Sequence, residues 1–422
     1  MPAGRRSARA SHDAVLVDAG AARIAWADRQ MPVLRAVRER FERERPLAGL
    51  RVAVCLHITA ETANLVRSLL AAGAEVALCA ANPLSTQDDV AAALSSTHGA
   101  EVYGERGEDR AAYARHLDRL VAGRPQILID DGAELIVSAH AGPKPLAPEL
   151  IGATEETTTG LVRLRSMEVD GTLRCPVLAV NETLTERVFN DRYGTGQSVI
   201  DGIIRATDLL FAGRSVVVLG FGSAGRGIAA RAKGAGANVA VCEVDPVRAL
   251  EARMEGYAVL HSLAAAAIGE VFVTVTGAPG VLRREHFERM IDGAVLANAG
   301  HFDVEISLDD LAGLAVAPPR AVLPLVDEYE LADGRRLNLV TQGRVVNLAA
   351  AAGHPAAVMD MSFAAQALAV AHLARRGADD GPGVRLPPFE LDHEVARLKL
   401  ASLGIEIDVL SETQERYLRS FR

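Results

Sequence analysis

Apolar residues fall into short continuous runs separated by helix-spaced segments, and this rhythm repeats along most of the 422-residue chain. Residues 14–45 show helical spacing, with Ala25-Trp26-Ala27-Asp28 leading into Met31-Pro32-Val33-Leu34. From Arg51 the pattern changes. Residues 51–56, 74–81 and 125–131 are strand-like runs, with helix-patterned residues 57–73 and a loop and helix over 82–94 between them. Residues 175–198 read as an interdomain connection, followed by a helix over 199–211. Further strand-like runs occupy 215–219, 238–242, 269–277 and 293–306, and residues 319–355 read as short strands with a hairpin. An apolar helix is expected from Ala357 to Arg376, a linker at 377–383 and an amphipathic helix pair to the end. Strands alternating with helices predict an α/β chain with doubly wound parallel sheets, whose ligands gather at the carboxyl ends of the strands.

The stretch from Ser215 to Asp245 gives this pattern a chemistry. The β-branched run Ser215–Leu219 meets Gly220-Phe221-Gly222-Ser223-Ala224-Gly225, then a small-residue helix, then a second apolar run ending in Glu243. Gly220 permits a tight turn, and Gly222 and Ser223 let backbone approach a pyrophosphate. Gly225 lets the helix pack against its strand with its N–H groups aimed at phosphate. Glu243 follows the first glycine by 23 residues, where a carboxylate holds the ribose hydroxyls and repels a 2′-phosphate. The expected cofactor is therefore NAD.

Composition narrows the class. A net charge of −9 argues against nucleic-acid or anionic-membrane partners, and 49% hydrophobic with 23% charged residues is a globular balance. Residues 1–13 are basic without an apolar core and are expected to be disordered; no apolar run reaches membrane-span length. Cys55, Cys79, Cys175 and Cys242 lack metal-ligand spacing and read as buried free thiols of a reducing, cytoplasmic compartment, so no metal is expected. His57, Asn82 and Asp130/Asp131 follow strands, and Glu155–Gly160, with three threonines, suits a ligand loop.

Several blocks together resemble the S-adenosylhomocysteine hydrolase family. They are Leu56–Thr62, Ser85–Asp88, Asp130–Gly132, Glu155–Gly160, Ile200–Gly202, the glycine turn, Gly300–Ile306, Arg344–Leu348 and Gly353–Pro355. The resemblance runs from Trp26 to Leu418. It implies a split substrate domain (14–190 and 352–385) around an inserted Rossmann NAD-binding domain (191–351), with a C-terminal helical segment (386–422). A homotetramer, or a homodimer, is the implied assembly. The implied chemistry oxidises a nucleoside 3′-OH, removes the acidified C4′ proton, eliminates the 5′ substituent, adds water or thiol and re-reduces the ketone. By resemblance Thr59, Glu61 and His354 hold adenine, Asn181 lies on the substrate side and Glu156 holds the 2′-OH. His57 and Asp131 manage protons near C5′, and His301 lies near the sugar. Thr157, Thr158, Thr159, Glu243 and Asn347 hold NAD.

The departures from the family cluster at the 3′-OH and nicotinamide end. Glu186 stands at a lysine position, Asn190 at an aspartate, Asp191 at an asparagine and Thr195 at a cysteine. The family's lysine and aspartate–asparagine pair bind and deprotonate the 3′-OH. Lys144, Lys233 and Lys399 lie in no matching block, and Arg187 or Arg192 supplies charge without proton exchange. A family tail carrying a lysine and a tyrosine has no counterpart after Arg422, and Asp89 stands where a histidine is usual. The favoured expectation is a specialised lyase that loses 5′ water, with Glu186 or Asp191 as the 3′-OH base. An ordinary hydrolase with compensating changes and a non-catalytic nucleoside-binding relative are the alternatives.

Overall fold

The computed structural model describes residues 3–82, 85–141, 150–376 and 381–420, with side chains from residue 14 onward. Two sheets organise the chain. The first has seven strands in the order Gly383–Arg385, Pro176–Ala179, Gly152–Glu155, Ile127–Asp130, Arg51–Cys55, Glu75–Cys79, Glu101–Tyr103. All its pairings are parallel. The second has eight strands, in the order Arg320–Leu323, Val326–Glu330, Arg336–Val340, Val295–Asn298, Val271–Thr274, Ser215–Leu219, Asn238–Cys242, Ala258–Val259. Its first two pairings are the antiparallel hairpin strands, and the rest are parallel.

The central strands read as apolar runs because both faces are covered. Val52 and Val54 point into one core, while Ala53 and Cys55 point into the other. Helix Ala356–Arg376 fills the first core against helix Pro32–Glu44 and helix Ala60–Ala71. By length and composition it could cross a membrane, contrary to the expectation from the sequence, yet 78% of its apolar window is buried within the fold. Helix Phe389–Ser402 packs on it, tied by Lys399 Nζ to Asp360 at 2.8 Å.

Three segments differ from expectation. The opening helix runs Ala3–Arg29, so residues 3–13 continue a helix where disorder was expected. Their alanines and arginines are good helix formers and extend the periodic segment behind them. The connection at 175–198 contains strand Pro176–Ala179, and a π-helical stretch, Glu186–Thr195, that runs directly into helix Gly196–Thr207. A four-residue strand is too short to show periodicity. The end of the expected linker enters the first sheet as Gly383–Arg385; residues 377–380 lie outside the described residues.

The π-helical stretch crosses helix Ser223–Gly234 at glycines. A Cβ at Gly196 would stand 2.6 Å from the Gly227 carbonyl carbon, and one at Gly227 1.9 Å from the Arg192 oxygen. This close crossing fixes residues 186–195 beside the glycine turn.

Candidate active site

The carboxyl ends of adjacent strands converge. Cys55 pairs with Asp130, Asp130 with Glu155 and Glu155 with Ala179, so His57, Asp131, Glu156 and Asn181 emerge side by side. Across from them, the ends of the second sheet present Gly220, Glu243, Thr276 and His301. Both sets line one cavity of about 1010 Å³.

On the first wall, Asp131 sits between two histidines. Its Oδ2 lies 3.4 Å from His57 Nε2 and its Oδ1 3.7 Å from His301 Nδ1. Asp131 Oδ1 is buried and without a hydrogen-bond partner, a free acceptor beside the cavity. His57 Nδ1 meets Ser85 Oγ at 2.7 Å, and that hydroxyl donates to the Asn82 carbonyl. His57 is thus held between the Ser85 hydroxyl at Nδ1 and the Asp131 carboxylate at Nε2. Burial pushes His57 below its ordinary value, against the pull of Asp131, so the ring is neutral at pH 7.

Two enclosed carboxyls brace this wall. Glu155 accepts N–H groups from Gly132, Ala133 and Thr157 at 2.8, 3.0 and 2.9 Å, and the Thr157 hydroxyl at 2.7 Å. Asp130 accepts from Asp131 and Ile136 N–H, and burial pushes it up to about 7. The sequence reading set Asp130 at a strand end facing the cleft and Glu155 in a ligand loop; both carboxyls instead turn to backbone N–H groups.

The floor is carboxyl-rich. Glu156 receives Ser362 Oγ and Gln366 Nε2, one turn apart on helix Ala356–Arg376. Burial and the nearby Glu186 raise Glu156 well above the carboxylate range. Glu186 is 0% exposed and stands behind the cavity wall rather than on it. The π-helical winding turns it inward, where its Oε2 accepts Asn190 Nδ2 at 2.6 Å. Burial pushes it to about 8. Asn190 and Asp191 do line the cavity, and burial raises Asp191 to about 7 against the opposing Arg187 charge. Arg187 itself pairs with Glu182 at 3.3 Å.

Thr59 caps helix Ala60–Ala71 by accepting Thr62 N–H, and Glu61 follows in the first turn, raised by burial. Both line the cavity with His354, and Asn181 accepts Thr158 Oγ1 at 2.9 Å. Thr157 caps helix Thr158–Val169 through Gly160 N–H, which places Thr158 and Thr159 at the cavity edge.

The glycine turn fits a dinucleotide. Gly220 has φ +108°, and a Cβ at Gly225 would stand 2.0 Å from the Gly220 oxygen. Gly222 caps helix Ser223–Gly234 without a side-chain bond, leaving the helix N–H groups open to phosphate. Arg248 Nη1 lies 3.6 Å from the Gly222 Cβ position, a cation beside the turn that the sequence reading missed. Glu243 accepts N–H from Phe221 at 2.7 Å, fastening the turn to the acid expected at the ribose. Asn347 Oδ1 is buried, unpartnered and at the cavity, a ready acceptor for a ligand N–H. Glu305, also unassigned from sequence, holds the facing loop through Thr276 and Gly277 N–H.

Comparison with known proteins decides the family. The profile of the S-adenosyl-L-homocysteine hydrolase NAD-binding domain matches residues 191–353, and that of S-adenosyl-L-homocysteine hydrolase matches residues 10–147. The chain belongs to the S-adenosyl-L-homocysteine hydrolase family. Adenosylhomocysteinases of Thermococcus kodakarensis and Aquifex aeolicus are each 53% identical, over 97% of this chain and 97% and 98% of theirs. An S-inosyl-L-homocysteine hydrolase of Methanopyrus kandleri is 50% identical over 98% of this chain and 97% of its own. As a family member the chain is an enzyme with NAD as cofactor. NAD, where bound, would supply a hydride acceptor. The glycine turn, Glu243 and Asn347 line the same cavity and would be the residues to hold it.

Proposed function

We propose that the chain hydrolyses an S-nucleosyl-homocysteine thioether, with adenine as the base, through transient 3′ oxidation. The observation that carries this reading is the single cavity shared by the glycine turn and the His57–Asp131–His301 cluster. Redox at one sugar carbon and proton transfer at its neighbours require both walls within one nucleoside's length. Glu156 holds a sugar hydroxyl at the floor. Neutral His57 and the free Asp131 Oδ1 take and return protons at C4′ and the 5′ group. Thr59 and Glu61 receive the base, while both ring nitrogens of His354, expected there by resemblance, are taken up by Asn190, Thr195 and Asn347. The names of the relatives support hydrolysis over the lyase favoured from sequence alone. The M. kandleri relative makes hypoxanthine the base to test beside adenine.

The second reading, loss of 5′ water without re-addition, rests on the group Glu186, Asn190, Asp191 and Thr195, which differs from the family pattern described above. A catalyst of either kind exchanges the C4′ hydrogen with solvent. Adenosine incubated in deuterium oxide with the holoenzyme should gain one deuterium at C4′. Binding without exchange refutes both catalytic readings and leaves the non-catalytic one.

Assembly as a homotetramer or homodimer fits the exposed Leu403, Ile405, Ile407, Val409 and Leu418 of the C-terminal segment. Light scattering of the purified protein tests it. Four buried free thiols fit a reducing compartment such as the cytoplasm.

A further inference from the structure

Glu186 does not reach the cavity, so the group that receives the sugar hydroxyl proton must be sought elsewhere. A continuous hydrogen-bonded chain starts at that residue. Asn190 donates Nδ2–H to Glu186 Oε2 at 2.6 Å and turns its Oδ1 to His354 Nδ1, also at 2.6 Å. On the other side of the ring, His354 Nε2 lies 3.1 Å from Thr195 Oγ1 and 3.3 Å from Asn347 Nδ2. An amide oxygen only accepts and an amide nitrogen only donates. The two asparagines therefore fix His354 with its proton on Nδ1 and its lone pair on Nε2. The Thr195 hydroxyl then donates to Nε2, and its oxygen lone pairs are left for a ligand. Thr195, His354 and Asn190 all line the cavity.

We propose that Thr195, backed by His354, Asn190 and Glu186, is the proton relay for the sugar hydroxyl that is oxidised. The inference rests on the redox reading above and deepens it. The substrate O–H proton passes to Thr195 Oγ1 as the Thr195 proton passes to His354 Nε2. NAD, where bound, would accept the hydrogen on the same carbon with its two electrons, so that C–O becomes C=O. The same path runs backward when the ketone is reduced. Thr195 is the contacting catalytic residue; Asn190 and Glu186 are positioning residues that hold the His354 tautomer. Burial lowers His354 to about 4, which keeps its lone pair free at neutral pH.

The test compares Thr195→Val, which keeps the shape and removes the hydroxyl, with Thr195→Ser. Adenosine is mixed with holoenzyme and NADH absorbance followed in a single turnover. Thr195→Val should slow NADH formation by about 100-fold or more, while Thr195→Ser recovers to within about 10-fold. Adenosine affinity and bound NAD should change by less than about 3-fold. Independently of turnover, nitrogen NMR should find His354 protonated at Nδ1, and Asn190→Leu should abolish that preference. Unchanged NADH formation in Thr195→Val overturns the relay, as does a His354 proton on Nε2 in the wild type. Loss of NADH formation in Asp191→Asn, with Thr195→Val still active, assigns the proton to Asp191 instead. A wild type that binds adenosine and never forms NADH defeats the redox reading itself, an outcome distinct from failure of the relay alone.

Discussion

Replacing Glu186 by glutamine removes a buried acid and keeps its shape and its acceptor for Asn190. The wild-type carboxyl moves from an ordinary 4.5 to about 8, with burial as the main cause. A raised folded-state value has a definite sign. Below pH 4.5 the group is protonated in both folded and unfolded chains and has no effect on their balance. As pH rises from there, the unfolded chain releases a proton that the folded chain retains, so the wild type loses stability until about pH 8. The full shift corresponds to ~5 kcal/mol lost across that window, and structural relaxation on ionisation reduces it to ~2–5 kcal/mol. The Gln variant lacks this slope. Urea unfolding followed by circular dichroism, for both proteins at about pH 5, 7 and 9, isolates the effect as a difference between variants. The stability of Glu186→Gln relative to wild type should grow with pH by that amount. A difference that stays constant from about pH 5 to 9 would falsify the account of Glu186 as a buried, proton-retaining acid.

Three further outcomes follow from the geometry. Gly225→Ala places a Cβ 2.0 Å from the Gly220 oxygen, and displacing that backbone should cost ~1–3 kcal/mol. NAD released from the purified variant on denaturation should fall about tenfold, and a full complement would contradict the role given to that glycine. Asp131→Asn should slow C4′ exchange by about 10²–10⁴ and leave NADH formation within a few-fold, because Asp131 serves the proton wall; equal losses in both would refute that division. Glu155→Gln supplies one oxygen where two now accept N–H from Gly132, Ala133 and Thr157. An unpaired buried donor should lower stability by ~1–3 kcal/mol, read as a lower urea midpoint at unchanged slope.

The alternation of strands and helices was legible because the central strands are covered on both faces and read as apolar runs. The glycine turn was legible because Gly220, Gly225 and Glu243 each answer a steric or hydrogen-bonding demand of the turn. The convergence of His57 and Asp131 followed from their places at strand ends in a parallel sheet, whereas the strand Gly152–Glu155 that sets Glu156 beside them was not read from the sequence. What the residue order hid is orientation. Glu186 and Asp191 are five positions apart in a π-helical stretch, and only the folded chain shows that one faces inward and the other the cavity. Ser362 and Gln366 meet Glu156 from more than 200 residues away, a contact that local pattern does not encode. The strand at Gly383–Arg385 is three residues long and gains its place from the neighbour at Pro176.

The measurement that bears most directly on the whole account is product analysis by mass spectrometry. Holoenzyme is given S-adenosylhomocysteine in water enriched in heavy oxygen, with adenosine and homocysteine as the reverse pair. The account predicts adenosine carrying the heavy oxygen at C5′, free homocysteine, and thioether formation in reverse. Release of homocysteine with an unsaturated 4′,5′-nucleoside that never gains water, or loss of water from adenosine alone, contradicts hydrolysis and makes the enzyme a lyase.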